Sequence, residues 1–176
     1  MAGGRHPFFK RLLKEYKTLS TSSLPGITLV KNDDDLTEFI FRIQVNNHQL
    51  YKDSDLFHLS IVITNDYPVD SPRVQFIIYD EIDLTSDSKE KSSPPKPEGV
   101  PKIPIHPHIY SNGHICLNLL GDDWTPACSI ESVLLSIQSM LDTNEKNERP
   151  PDDSSYVKRA PLNPKSTRFV YHDDTV

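Results

Sequence analysis

The sequence predicts an α+β fold. Three observations carry that reading: an apolar stripe at helical spacing near the start, three alternating segments after it, and a second helical stripe late in the chain. Helix, strands, irregular loop and helix follow in that order, without an internal repeat. The 176 residues suit one domain around one core.

Residues 7–19 read as the first helix. Phe9, Leu12, Leu13, Tyr16 and Leu19 recur every three or four positions, and the lysines fall elsewhere. The stretch 20–26, STSSLPG, ends it. A short strand is expected at 28–30. Residues 38–45 alternate through Phe39, Phe41, Ile43 and Val45. Residues 57–64 alternate through Phe57, Leu59, Ile61 and Ile63, and 73–79 give a further strand. The links are short enough for a four-stranded antiparallel meander. Residues 66–72, DYPVDSP, form a turn with two prolines. The periodicity then fails. Residues 81–102 are polar and rich in Ser, Lys and Pro, and read as an exposed flexible loop. Ser129 is a candidate N-cap for a central helix at 130–141, whose stripe is Ile130, Val133, Leu134, Ile137 and Leu141. After Asn144 the chain is charged and Pro-rich, and no further helix is predicted. Its last apolar cluster is Phe169, Val170 and Tyr171.

Composition excludes several classes. The net charge of −6 argues against a nucleic-acid binder. No apolar run reaches the ~18–20 residues of a membrane span, and no signal peptide opens the chain. A cytoplasmic or nuclear location is therefore expected, where Cys116 and Cys128 stay reduced. The charge is uneven. Arg5, Lys10, Arg11, Lys14 and Lys17 stand against Glu15 alone, a basic end suited either to an acidic protein partner or to plain solvation.

The densest chemistry lies in HPHIYSNGHICL, residues 106–117. His106, His108, His114 and Cys116 are zinc-competent in type, but H-x-H-x5-H-x-C is not a recurring zinc spacing, and no metal site is assigned. A thiol nucleophile with a histidine base is a second reading. The third is a cysteine that acts as a small buried apolar residue. That suits Cys128. It suits Cys116 less well, because the turn signal Asn112-Gly113 stands just before it.

These residues resemble a known family. His106-Pro107-His108, then Cys116 eight positions on, then Trp124-Thr125-Pro126-Ala127 is similar to the core of ubiquitin-conjugating enzymes. The basic stretch 10–15 and Tyr67-Pro68-x-x-Ser71-Pro72 resemble the family's first helix and Tyr-Pro turn. His-Pro-His in place of His-Pro-Asn, Arg149-Pro150-Pro151-Asp152 and Tyr171-His172-Asp173-Asp174 are similar to the W type, which is associated with modifying protein N-termini. The resemblance implies the ubiquitin-conjugating-enzyme fold, with a core domain at 1–150, the insert at 81–102, and an atypical C-terminal segment, 151–176, without the usual helix pair.

It also implies roles. Cys116 takes ubiquitin's C-terminus as a thioester. His108 supports the oxyanion or the active-site loop, and Asp152 or Asp153 orients the incoming amine. His106, Pro107 and Trp124 are structural. Lys10, Arg11, Lys14, Pro68, Val69, Pro126 and Ala127 meet the activating enzyme and RING-type ligases. Tyr171, His172, Asp173 and Asp174 belong to the acceptor region. Substrates are proteins with flexible N-termini. No bound cofactor is implied, since ATP is used by the upstream activating enzyme. A cysteine thiol near its ordinary pKa, ~8.5, serves both as nucleophile and as leaving group. The insert, with Lys89, Lys91, Lys96 and Lys102, either gates the site, accepts ubiquitin in cis, or is a tolerated surface loop. The alternatives to the enzyme are a non-catalytic adaptor of the same fold and a zinc-binding interaction module.

Overall fold

The computed structural model describes residues 5–81 and 97–166. Helix α1 spans Phe9–Thr21 and buries Leu12 completely. Four strands follow: β1 (Ile27–Asn32), β2 (Glu38–Ile43), β3 (Asp55–Val62) and β4 (Arg73–Ile77). They form an antiparallel sheet in the order β1-β2-β3-β4. The alternation read from the sequence fixes which face is inward: Phe39, Phe41 and Ile43 on β2 meet Leu59, Ile61 and Phe57 on β3, and Val74 and Phe76 on β4.

Helix α2 (Ile130–Asp142) covers that face. Ile130, Val133, Leu134, Ile137 and Leu141 are all fully buried, a stripe that contributes on the order of 10 kcal/mol of apolar burial. Ser129 caps it as expected, with Ser132 returning the bond in a capping box. Glu15 ties α1 to α2 and to the Tyr-Pro turn. Its carboxylate accepts from the Ile130 amide at 2.9 Å and from Tyr67 Oη at 2.7 Å, and pairs with Arg11 at 3.4 Å.

Two features depart from the sequence reading. The insert is not simply an exposed loop from 81 to 102. Glu81 is buried on the outer face of the sheet, where it holds Arg42 at 2.8 Å and the wholly buried His58 at 2.8 Å. A carboxylate amid polar residues looks like loop in sequence, because its partners lie on other strands. At the other end, β5 (Val100–Pro101) pairs in parallel with Asp55 and Leu56 of β3, and Lys102 pairs with Asp55 at 2.6 Å. Lys89, Lys91 and Lys96 lie outside the described residues. The second departure is helix α3 (Asp153–Arg159), in a segment where no helix is predicted. It has seven residues and buries none of them fully, so it leaves no periodic signal. The chain then returns to the Tyr-Pro turn, where Lys165 Nζ donates to Ser71 O at 2.7 Å.

Candidate active site

Residues 106–116 form a doubled-back segment docked on β4. Gly113 makes it possible. Its φ is +89°, and a Cβ there would stand 1.9 Å from the Phe76 carbonyl oxygen. Through that approach the Phe76 amide donates to Gly113 O at 2.9 Å. The Tyr110 amide donates to His114 O at 2.9 Å, and the Cys116 amide to His108 O at 2.8 Å. The His108 backbone therefore holds the cysteine, while its side chain is exposed.

His106 locks the segment from below. It is 5% exposed, and its Nδ1 accepts from the His108 amide at 2.9 Å while the ring donates to the Met140 backbone. Burial, helped by the charge of His108, pushes its pKa down to about 4 against the Met140 bond, so the ring is neutral. Arg149 closes the other side. Its guanidinium donates to the carbonyls of Ile103, Pro104 and Ile109, at 3.1, 2.6 and 3.1 Å.

Cys116 is half-buried, near the surface as the turn signal predicts. Its thiol is not ordinary, however. Burial, and then the negative charge of Asp152, push it up to about 11. The sequence carries neither cause: burial is set by the fold, and Asp152 stands 36 positions away. Cys128, read as a small buried apolar residue, is likewise only half-buried, and its Sγ lies 3.6 Å from Thr125 Oγ1.

The two acidic candidates both reach the turn. Tyr110 Oη donates to Asp152 Oδ1 at 3.1 Å, and the Ser111 amide donates to Asp153 Oδ1 at 2.7 Å. Asp153 is thereby occupied with the backbone, whereas Asp152 is exposed. His114 is buried, and its Nδ1 lies 2.7 Å from Tyr156 Oη. The ring also donates to the Leu162 backbone, so Tyr156 is the donor to Nδ1. Burial lowers the His114 pKa. The rings of His106 and His114 are therefore engaged on both sides, which disfavours either as a zinc ligand or as a base for Cys116. Among the described residues no group of three or more His, Cys, Asp or Glu could hold a metal ion.

The remaining expected residues divide. Trp124 faces the Tyr-Pro turn: Nε1 donates to Pro68 O at 2.9 Å and its ring lies 5.9 Å from that of Tyr67. Pro68, expected at a partner surface, is buried after a cis peptide bond, and only its neighbour Val69 is outward, at 70% exposure. Lys10, Lys14, Pro126 and Ala127 are exposed. Arg11 is spent within the fold, donating to the carbonyls of Pro126 and Cys128 and lying 5.4 Å from the Tyr67 ring centre. A groove of about 350 Å³ runs between α1 and the Pro126-Ala127 loop, lined by Lys14, Glu15 and Glu131 among others. Tyr171, His172, Asp173 and Asp174, with Phe169 and Val170, lie outside the described residues. Tyr110, His114, Arg149 and Tyr156 escaped the sequence reading as site residues. The Arg149 stretch and His114 were visible as motif letters, but their partners were not.

Comparison with known proteins agrees with the fold. The family described as ubiquitin-conjugating enzyme matches residues 11–168. The chain is 38% identical over 170 residues to ubiquitin-conjugating enzyme E2 W of Caenorhabditis elegans, covering 95% of this chain and 96% of that one. It is 40% identical over 171 residues to the Dictyostelium discoideum protein named probable ubiquitin-conjugating enzyme E2 W, covering 96% and 97%. Among solved structures, a ubiquitin conjugating enzyme E2 from Agrocybe aegerita superposes with a TM-score of 0.69 at 35% identity, covering 89% of this chain and 96% of that one.

Proposed function

The chain belongs to the ubiquitin-conjugating enzyme family, and we propose that it carries ubiquitin as a thioester on Cys116 and delivers it to the N-terminal α-amine of proteins. The observation that carries the reading is the placement of Cys116: half-buried, backbone-locked to His108, and within the field of the exposed Asp152. In charging, Cys116 Sγ attacks the carbonyl carbon of the ubiquitin C-terminus on the activating enzyme. A new S–C bond forms and the donor thiol leaves. In transfer, an amine nitrogen attacks that carbon. The tetrahedral oxyanion collapses to an amide, Cys116 leaves as the thiolate, and the amine proton passes to a base or to water.

The chain's residues supply three things. The docked turn holds the thioester still, which limits the motion that must be frozen at the transition state. His108, whose backbone carbonyl accepts from the Cys116 amide, supports the oxyanion through a ring N–H or supports the active-site loop. Asp152 attracts and orients the entering amine. An α-amine has a pKa near ~7.7–8.0, against ~10.4 for lysine, so it needs less help to lose its proton. The free thiol, held near 11, is a weak nucleophile in neutral solution, which suits a carrier that is charged only in the grip of its activating enzyme. Lys10, Lys14, Val69, Pro126 and Ala127 offer the surface for that enzyme and for RING-type ligases. ATP is spent upstream, and the cytosol or nucleus is the expected compartment.

The test is charging followed by discharge. The protein is loaded with ubiquitin by activating enzyme and ATP, then given a lysine-free peptide with a free N-terminus, or an N-blocked peptide with one lysine. A reductant-sensitive adduct absent from Cys116→Ala and discharged by the first peptide alone supports both parts. Discharge by the lysine peptide removes the N-terminal preference, and no adduct removes the carrier role.

A further inference from the structure

One helical turn brings three side chains to the active-site segment from outside it: Asp152, Asp153 and Tyr156. Asp152 and Tyr156 are four residues apart, and the Tyr156 amide donates to Asp152 O at 2.9 Å. The Tyr156 ring stacks on Tyr110, with centroids 3.8 Å apart and planes at 27°. Its hydroxyl reaches buried His114, two positions before Cys116, at 2.7 Å. Tyr110 Oη in turn donates to Asp152 Oδ1 at 3.1 Å. His114, Tyr156, Tyr110 and Asp152 thus form one connected set of contacts on the segment that carries Cys116.

This set matters because the Asp153–Ser111 bond holds only the first residue of α3 and leaves the Asp152 side chain free to turn. Helix α3 has seven residues, no side-chain cap and no fully buried residue. Helices this short are marginal without tertiary contacts. An exposed aspartate at its start would otherwise sample many positions relative to the thioester. We propose that Tyr156 is a positioning residue for amine transfer: stacked on Tyr110 and bonded to His114, it fixes the Asp152 carboxylate against the turn that carries Cys116. The inference rests on the carrier reading above. The charge of Asp152 is felt at the thiol, so the thiol reports where that carboxylate stands.

The experiment uses the full chain with Cys128→Ser, so that alkylation reads Cys116 alone. Tyr156→Phe, Tyr156→Ala, Asp152→Asn and the Asp152→Asn/Tyr156→Ala double are each measured in three ways: ubiquitin charging, single-turnover discharge onto the lysine-free peptide, and iodoacetamide rate against pH. Tyr156→Ala is expected to charge to completion but to discharge about tenfold more slowly, as Asp152→Asn does, with the double no worse than Asp152→Asn alone. The thiol midpoint should fall equally in Tyr156→Ala and Asp152→Asn. Tyr156→Phe keeps the stack, loses the His114 bond, and should show a smaller change in the same direction. Discharge or midpoint at the wild-type value in Tyr156→Ala, or a double slowed by the product of the two singles, overturns the proposal. Should Tyr156→Ala not fold, Tyr156→Phe decides: a wild-type value in both readouts overturns it. A wild type that never charges defeats the carrier reading instead, and the alkylation profile still tests the positioning.

Discussion

Mild acid should loosen the active-site segment through His106. The ring is 5% exposed and neutral, with a pKa of about 4 against 6.5 for an unburied histidine. As pH falls, the unfolded chain takes up the proton first, so this contribution is fully present above about pH 6.5 and fades toward pH 4. Every tenfold difference in proton affinity between the folded and unfolded chains is worth about 1.4 kcal/mol, which gives roughly 2 kcal/mol lost by pH 5 and roughly 3 kcal/mol in all. The assay is urea unfolding followed by circular dichroism between about pH 7.5 and pH 4.5, on wild type and His106→Gln. Glutamine can accept from the His108 amide and donate to Met140, yet does not titrate. The variant should therefore be less stable at neutral pH but shallower in its pH dependence. Asp33 and Asp55, whose pKa values lie below 3.8, lose their contributions only at lower pH, so the window is clean of them. Parallel curves for the two proteins across the window would refute the argument.

Four further outcomes follow. With the thiol near 11 instead of 9.0, Cys116 should alkylate about a hundredfold more slowly at pH 8 than an ordinary cysteine and keep gaining about tenfold per pH unit past pH 9, measured with Cys128→Ser; a plateau near pH 9 contradicts it. Gly113→Ala combines a left-handed φ with a Cβ driven onto the Phe76 carbonyl, and should cost more than about 2 kcal/mol by thermal melt and abolish charging. Glu81→Ala strands Arg42 and His58 in a buried site, and should lower stability by about 3–5 kcal/mol in denaturant titration. Arg149→Ala leaves three carbonyls without their shared donor, and Arg149→Lys should rescue little of the melting temperature, because an ammonium cannot span the fork.

Where a residue's structural role depends on its near neighbours in sequence, the sequence was readable. Helix α1, strands β2 to β4 and helix α2 announce themselves through the spacing of Phe39, Phe41, Leu59, Ile61 and Ile137, and Ser129 marks its own cap. The cysteine and its turn were visible as a spaced motif. What stayed hidden depends on distant partners. Strand β5 is two residues whose only identity is their pairing with Asp55 and Leu56. Glu81 is one acid among several until Arg42 and His58 are brought to it. Tyr156 sits in a polar run, and nothing local says that it stacks on Tyr110. The family resemblance put Pro68 at a partner surface, yet it is buried and its carbonyl accepts from Trp124 Nε1.

The anchors of the insert have a practical meaning. Glu81 is held by His58, and β5 by Asp55 and Leu56, so both ends root on one strand within about 10 Å of each other. A stretch of chain whose ends are fixed side by side can change length at little cost to the fold. The position between Glu81 and Pro97 is therefore a natural graft point. A reporter, an affinity tag or a targeting peptide placed there would be anchored at both ends through β3, a strand that carries no residue of the thioester site.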